Sequence, residues 1–194
     1  MNTLRLSSLS SVRLVLALTA GLAVSAVNSR AQIFASAQIT AAPLGGGVYN
    51  YTLALDNTGS SPLETFWFAW DAYYNYDFMS VSPTSITDPS GWGYAVTYNY
   101  YYGGYGIEFS TSTTPLAGGS TIDFGFNSTE TPTQMMGTYL GYPVGTSYVS
   151  TGPGFSGTSF GPFTAQVVPE PSLLALFATG SIGFWAACCN KRRK

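Results

Sequence analysis

The sequence predicts an all-β fold, an antiparallel β-sandwich, over residues 32–168. Short runs of alternating apolar and polar residues recur there, separated by clusters of Gly, Pro, Asn, Asp and Ser. No run keeps a 3.6-residue apolar period free of Gly or Pro, so helices have no foothold. The spacing allows roughly seven to nine short strands, enough to form two layers around one core.

Taken in order, Tyr49, Tyr51, Leu53 and Leu55 alternate with Asn50, Thr52 and Ala54, and Asp56-Asn57-Thr58-Gly59 supplies a turn. Leu63 to Trp70 is apolar or aromatic at nearly every position, as in a strand buried on both faces. Trp67, Trp70 and Trp92 read as core or half-core. Trp92 to Tyr102 and Ile107 to Thr113 follow as hairpin partners, with Gly103-Gly104 as their turn. Ile122, Phe124 and Phe126 then alternate with Asp123, Gly125 and Asn127. Gly137 to Gly161 is rich in Gly, Ser, Thr and Pro and reads as a long loop. Thr158 to Val168 would close the sheet. The pieces Tyr49-x-Tyr51-x-Leu53-x-Leu55-Asp56-Asn57-Thr58-Gly59 and Leu116-Ala117-Gly118-Gly119-Ser120-x-Ile122-x-Phe124 resemble stretches of bacterial surface proteins with Ig-like or cohesin-like sandwiches. A jelly roll is the alternative topology.

Charge divides the chain sharply. All seven basic residues lie outside 32–168, at Arg5, Arg13, Arg30, Lys191, Arg192, Arg193 and Lys194, and the chain has no His. Within 32–168 stand eight carboxylates: Asp56, Glu64, Asp71, Asp77, Asp88, Glu108, Asp123 and Glu130. That segment therefore carries a formal −8, and intradomain salt bridges are impossible. Nucleic acid is excluded as a partner, because that affinity rests on cations neutralising phosphates.

The two ends read as export signals. Arg5 and Arg13 precede the apolar run Leu14 to Val24, and the small residues Ser29 and Ala31 sit before Gln32. Residues 1–31 therefore read as a secretory signal peptide cut between Ala31 and Gln32, with a cut after Ala26 as the alternative. Residues 169–194 begin with Pro169-Glu170-Pro171, where the prolines disfavour helix and leave an extended, accessible peptide. The uncharged stretch 172–189 would span about 27 Å as a helix, close to a bilayer core of about 30 Å. Lys191, Arg192, Arg193 and Lys194 form a stop that holds the C-terminus in the cytoplasm.

This order of triplet, apolar span and basic cluster resembles the PEP-CTERM sorting tail of exported bacterial proteins. The resemblance implies transient anchoring in the inner membrane and passage to the cell surface or extracellular matrix. It implies the secretion machinery and an exosortase-type membrane processing enzyme as partners. Pro169, Glu170 and Pro171 would then be the recognition element.

Candidate chemistry is sparse. Cys188 and Cys189 both fall in 172–189, so residues 32–168 can hold no disulfide. Without His, Cys or Lys, nucleophilic triads and His-ligated zinc are unavailable there, and no cofactor or metal is expected. Paired carboxylates could in principle run a small glycosidase. Asp71, Asp77 and Glu108 show no such pairing in their spacing, so an enzyme is not expected and lone carboxylates read as solvated surface groups. Asp56, Asn57 and Glu64 match no calcium-loop spacing. Thr111 and Thr113 form one Thr-x-Thr pair, where an ice-binding face would need many in register.

The tyrosines are the better candidate. On an extended Trp92–Tyr102 strand, Tyr94, Tyr98, Tyr100 and Tyr102 would share one face. Tyr98, Tyr100 and Tyr102 would then offer a stacking platform to a neutral exopolysaccharide. The expected role is structural or adhesive, with a surface-tethered carbohydrate-binding module as the alternative. Replacing Pro169-Glu170-Pro171 by alanines should make the full-length form accumulate in the membrane fraction. Wild-type maturation and release of that variant, read by immunoblot, would overturn the sorting assignment.

Overall fold

Glycine makes the first turn. The computed structural model describes residues 31–168, and its first strands, β1 (Ala35–Gly45) and β2 (Val48–Asn57), meet at Gly46-Gly47. Both turn residues have positive φ, 61° and 78°. That geometry lets a two-residue hairpin follow the twist of its strands, and side chains disfavour it. Along β1, Ala35, Ala37, Ile39 and Ala41 are buried in alternation with exposed residues. Along β2, Tyr51, Leu53 and Leu55 point inward, as their spacing requires.

The chain continues through β3 (Thr65–Phe68), β4 (Trp70–Asp71), β5 (Tyr76–Asp77), β6 (Thr84–Thr87) and β7 (Gly93–Tyr98). Then follow β8 (Tyr105–Ser110), β9 (Thr121–Ser128), one helical turn at Pro132–Met135, β10 (Thr138–Tyr139) and β11 (Tyr142–Pro143). Last come β12 (Thr146–Gly152), β13 (Ser156–Thr164) and β14 (Gln166–Val167). The fold is all-β, at 57% strand. One five-stranded sheet runs β14-β1-β2-β9-β6 and another β13-β12-β3-β8-β7, with β4-β5 and β10-β11 as small ribbons. Pairing is antiparallel except for β1 with β14, which run parallel through Gln38↔Gln166 and Ile39↔Val167.

Aromatic side chains join the two large sheets. Phe124 of β9 stacks on Phe109 of β8 at 4.3 Å between ring centroids and meets Phe66 of β3 at 5.7 Å. Phe126 lies 5.2 Å from Tyr51 in its own sheet and 5.7 Å from Phe68 opposite. Trp92 closes the edge with an edge-to-face contact to Phe124 at 5.2 Å. Such pairs add about 0.5–1.5 kcal/mol each beyond the burial of their surface.

β3 is buried on both faces, as its apolar run predicts. Phe66 and Phe68 enter the main core, while Trp67 turns the other way and stacks on Trp70 at 4.3 Å beside Tyr148. All three tryptophans Trp67, Trp70 and Trp92 are buried.

Three sequence expectations need correction. The Leu63–Trp70 run is not one strand, because Ala69 adopts φ 58° and breaks it after Phe68. Gly137–Gly161 is not a long loop but contains β10, β11 and the buried strand β12, which pairs with β3 and β13. Its polar residues tolerate burial because their hydroxyls find backbone carbonyls. Ser147 Oγ donates to Gly145 O at 2.9 Å and Ser150 Oγ to Gly152 O at 2.8 Å, and Thr65 Oγ1 of β3 likewise donates to Gly152 O at 2.7 Å. The third correction is that β7 ends at Tyr98, short of the expected Tyr102.

Phe124 is the ring shared by both sheets, so Phe124→Ala should cost about 3–5 kcal/mol, near the top of the range for core truncations. Urea unfolding followed by tryptophan fluorescence would measure it. A loss under about 1 kcal/mol would mean that the stack does not hold the layers.

Candidate functional site

Two loops present tyrosines by the same device. In the β4–β5 turn, Asp71 Oδ1 accepts the N–H groups of Tyr73 at 2.8 Å and Tyr74 at 2.9 Å. In the β7–β8 loop, Asn99 Oδ1 accepts those of Tyr101 and Tyr102, both at 3.0 Å. A side-chain acceptor of this kind replaces the next ladder partner, so the strand stops and the chain turns. Asn75 closes the first loop at φ 55°, a conformation asparagine tolerates, and its Oδ1 accepts Trp70 Nε1–H at 2.9 Å. Asn99 Nδ2 donates to Asn75 O at 2.7 Å and ties the two loops together.

The β10–β11 hairpin adds a third piece. Tyr139 donates its hydroxyl to Tyr102 O at 2.9 Å, and Tyr142 stacks on the buried Phe78 at 5.3 Å. The rings run on from loop to loop: Tyr73 to Tyr74 at 4.6 Å, Tyr74 to Tyr76 at 5.3 Å, Tyr76 to Tyr102 at 4.4 Å. Tyr76 and Tyr142 are half-buried supports, while Tyr73 is 82% exposed, Tyr100 85% and Tyr101 89%. The hydroxyl interaction with Tyr102, and then burial, pushes the Tyr76 phenol up to about 12. Burial first and Tyr74 second raise Tyr142. These rings therefore remain neutral hydroxyl donors at physiological pH. Close approach of the loops requires glycine, since a Cβ on Gly104 would lie 1.8 Å from Asp77 O.

The structure places Tyr98, Tyr100 and Tyr102 all at the surface but not on one strand face. Tyr98 is the last residue of β7 and leans on Tyr105 at 4.9 Å. Tyr100 and Tyr102 belong to the loop, the first beside Tyr101 at 6.0 Å and the second on Tyr76. The aromatic end therefore includes Tyr73, Tyr74, Tyr76, Tyr139 and Tyr142, which strand periodicity could not reveal. Local signals exist for two of its loops: an Asp or Asn stands two residues before a Tyr-Tyr pair at both Asp71 and Asn99.

Carboxylates depart from the surface reading as well. Asp71, Asp77 and Glu130 are buried and held by neutral donors. Asp71 Oδ2 accepts the Tyr148 hydroxyl at 3.3 Å, and Asp77 Oδ1 accepts that of Thr97 at 2.9 Å. Asn57 serves as a structural tie, donating to Ser61 O at 2.7 Å and Leu116 O at 3.0 Å. Among the described residues no three acidic, Cys or His side chains gather as a metal site.

At the chain's ends, Gln32 is already bonded into the described body, its carbonyl accepting Ser60 N–H at 2.9 Å, while Ala31 and Gln32 are exposed. Pro169, Glu170, Pro171, the stretch 172–189, and Lys191, Arg192, Arg193 and Lys194 lie outside the described residues. Among the described residues, no helix is long and apolar enough to cross a membrane. Residues 167–193 match the PEP-CTERM protein-sorting motif.

The chain carries a PEP-CTERM tail. That motif implies export and membrane-anchored sorting at the C-terminus, and PEP-CTERM tails are recognised by exosortase. Comparison with curated proteins gives no match. Among solved structures, the chain is similar to a GH20 exo-β-N-acetylglucosaminidase from Vibrio harveyi in complex with N-acetylglucosamine, at 11% identity and TM-score 0.41. The match covers 70% of this chain and 18% of the glycosidase. An inactive mutant of that enzyme matches at 12% identity and TM-score 0.40, over the same shares of each chain. The chitin-binding domain of Chi18aC from Streptomyces coelicolor matches at 24% identity and TM-score 0.30, over 48% of this chain and 77% of that one. At these scores none of the superpositions amounts to a shared fold.

Asp77, under the aromatic end, gives the body that precedes the PEP-CTERM tail a pH signature. Burial pushes its carboxyl up to about 6, against the lowering effect of the Thr97 hydroxyl. Between the ordinary carboxylate value and about 6 the folded state binds more protons than the unfolded chain. Stability therefore falls as pH rises through that window and levels off above it. Asp77→Asn should flatten this slope and raise stability at about pH 7.5 by up to about 2 kcal/mol, as read from urea midpoints. Parallel pH profiles for the two proteins would contradict the assignment.

Proposed function

We propose that this exported protein has an adhesive role at the cell surface or in the extracellular matrix, and that its tyrosine-rich end makes the contact. The ligand class is neutral polysaccharide. The observation that carries this reading is the joining of three tyrosine-bearing loops into one exposed aromatic end. Sugar rings offer C–H faces to such rings and hydroxyl edges to neighbouring amides, here Asn75 and Asn99. The formal −8 of residues 32–168 disfavours acidic polymers.

In this reading residues 1–31 are removed as a signal peptide, residues 32–168 form the displayed domain and residues 169–194 the sorting tail. The displayed domain is a β-sandwich. Its hairpins β1/β2, β7/β8 and β12/β13 keep consecutive strands within one sheet, which favours an Ig-like over a jelly-roll arrangement. A binding role also suits Asp71 and Asp77 better than catalysis does, since each is engaged by local donors.

Affinity electrophoresis in a neutral glucan or galactan gel tests the contact. Tyr100→Ala should weaken retention roughly fivefold, about 1 kcal/mol, and Tyr74→Ala by a similar factor. Tyr100 is almost fully exposed, so thermal stability should shift by less than about 0.5 kcal/mol. Unchanged retention in both variants would remove the glycan contact and leave a purely structural role.

A further inference from the structure

Beside the tyrosine-rich end lies a recess of about 320 Å³, lined by Phe78, Tyr139, Ser80, Gln134, Thr138 and Glu130 among others. It is continuous with that end through shared residues. Tyr139 both lines the recess and donates to Tyr102 O, and Phe78 carries the Tyr142 ring.

Glu130 is 3% exposed, and its two carboxylate oxygens differ. Oε1 accepts from Ser80 N at 2.5 Å, Ser80 Oγ at 2.6 Å and Val81 N at 3.1 Å. Oε2 is equally buried and has no hydrogen-bond partner among the described residues. Leaving such an acceptor unpaired is costly. Glu130 does have a structural role, through Oε1 and through its backbone carbonyl, which accepts the Tyr51 hydroxyl at 2.6 Å. That role makes no use of Oε2.

We infer that this recess is a subsite for the free ammonium group of an amino-sugar residue, with Glu130 Oε2 as its acceptor and Tyr139 against the sugar ring. The inference rests on the glycan reading of the tyrosine-rich end and departs from it in one respect, adding a cationic residue to an otherwise neutral polymer. Residues 32–168 contain no Lys, Arg or His, so no side chain of the body can supply a cation to Glu130. A ligand ammonium would make a charge-assisted bond, stronger than one from a neutral hydroxyl. The surrounding negative field would also draw a cation toward the site. The volume lies at the small end of the about 300–1,000 Å³ typical of ligand sites, which suits one sugar residue rather than a chain. Oε2 is shielded from bulk water, so binding requires side chains lining the recess to give way.

Calorimetric titration of the full-length chain in detergent with glucosamine, N-acetylglucosamine and glucose provides the test. Glucosamine should bind, weaken with added salt, and exceed both neutral sugars by roughly tenfold or more. Glu130→Gln keeps an acceptor for Ser80 and Val81 and should lose roughly tenfold or more in glucosamine affinity. Thr138→Phe fills the recess from an exposed position without touching those bonds and should lose as much, so it decides the matter if Glu130→Gln fails to fold. Equal binding of the three sugars, or glucosamine affinity unchanged in the soluble variants, would overturn the inference. A flat glucosamine titration would also overturn it and leave Oε2 to ordered water. Should glucan retention still respond to Tyr100→Ala while glucosamine fails, the aromatic contact stands and only the recess is lost. Glucosamine binding that depends on Glu130 beside Tyr-independent glucan retention would mark the opposite failure.

Discussion

Everything in the body depends on the aromatic layer between its sheets, centred on Phe124. Residues 32–168 contain no cation, so cohesion between sheets cannot come from ion pairs. It comes instead from rings: Phe124 against Phe109 and Phe66, and Phe126 against Phe68. Interlocked rings fix two surfaces in position as well as bringing them together, because offset and edge-to-face geometries allow few alternatives. With β3 and β8 held in this way, the loops at the ends of β4, β5, β7 and β8 can be given to surface display.

The lack of cations also changes what carboxylates do. Among the described residues, Asp71, Asp77 and Glu130 are buried without any positive partner and are held by backbone N–H groups and hydroxyls. Asp71 and Glu130 each organise a loop, and Asp77 ties β5 to β7 through Thr97. Asp71 shapes the turn carrying Tyr73 and Tyr74, Asp77 lies where Gly104 and Gly106 bring the neighbouring hairpin close, and Glu130 binds the Ser80-Val81 segment. Two of the three stand beneath the tyrosine-rich end, and the third lines the recess beside it. The residues that order these loops are therefore also the ones that give this end its acceptor-rich character.

Much of the fold was legible because alternation is a local property. Tyr51, Leu53 and Leu55 are buried as their spacing requires, Phe124 and Phe126 likewise, and within the Leu63–Trp70 run the strand Thr65–Phe68 is buried on both sides. The reading failed where composition misleads. β12 is full of Ser and Thr, yet it lies inside the sheet because backbone carbonyls satisfy its hydroxyls. β1 was not singled out, since its inward residues are mainly alanines, a weak apolar signal.

Sequence alone determined the class of fold, the −8 of residues 32–168 and the sorting tail. These follow from residue types and from neighbours along the chain. Tertiary structure alone decided that Tyr73, Tyr74, Tyr102, Tyr139 and Tyr142 share one end of the molecule. It alone decided that Tyr98 ends its strand while Tyr100 turns away on the loop, and that one oxygen of Glu130 stays unpaired among the described residues. The bonds responsible, Asn99 to Asn75 and Tyr139 to Tyr102, join residues far apart in sequence. Such closures depend on how the sheets pack, and a one-dimensional pattern carries no record of them.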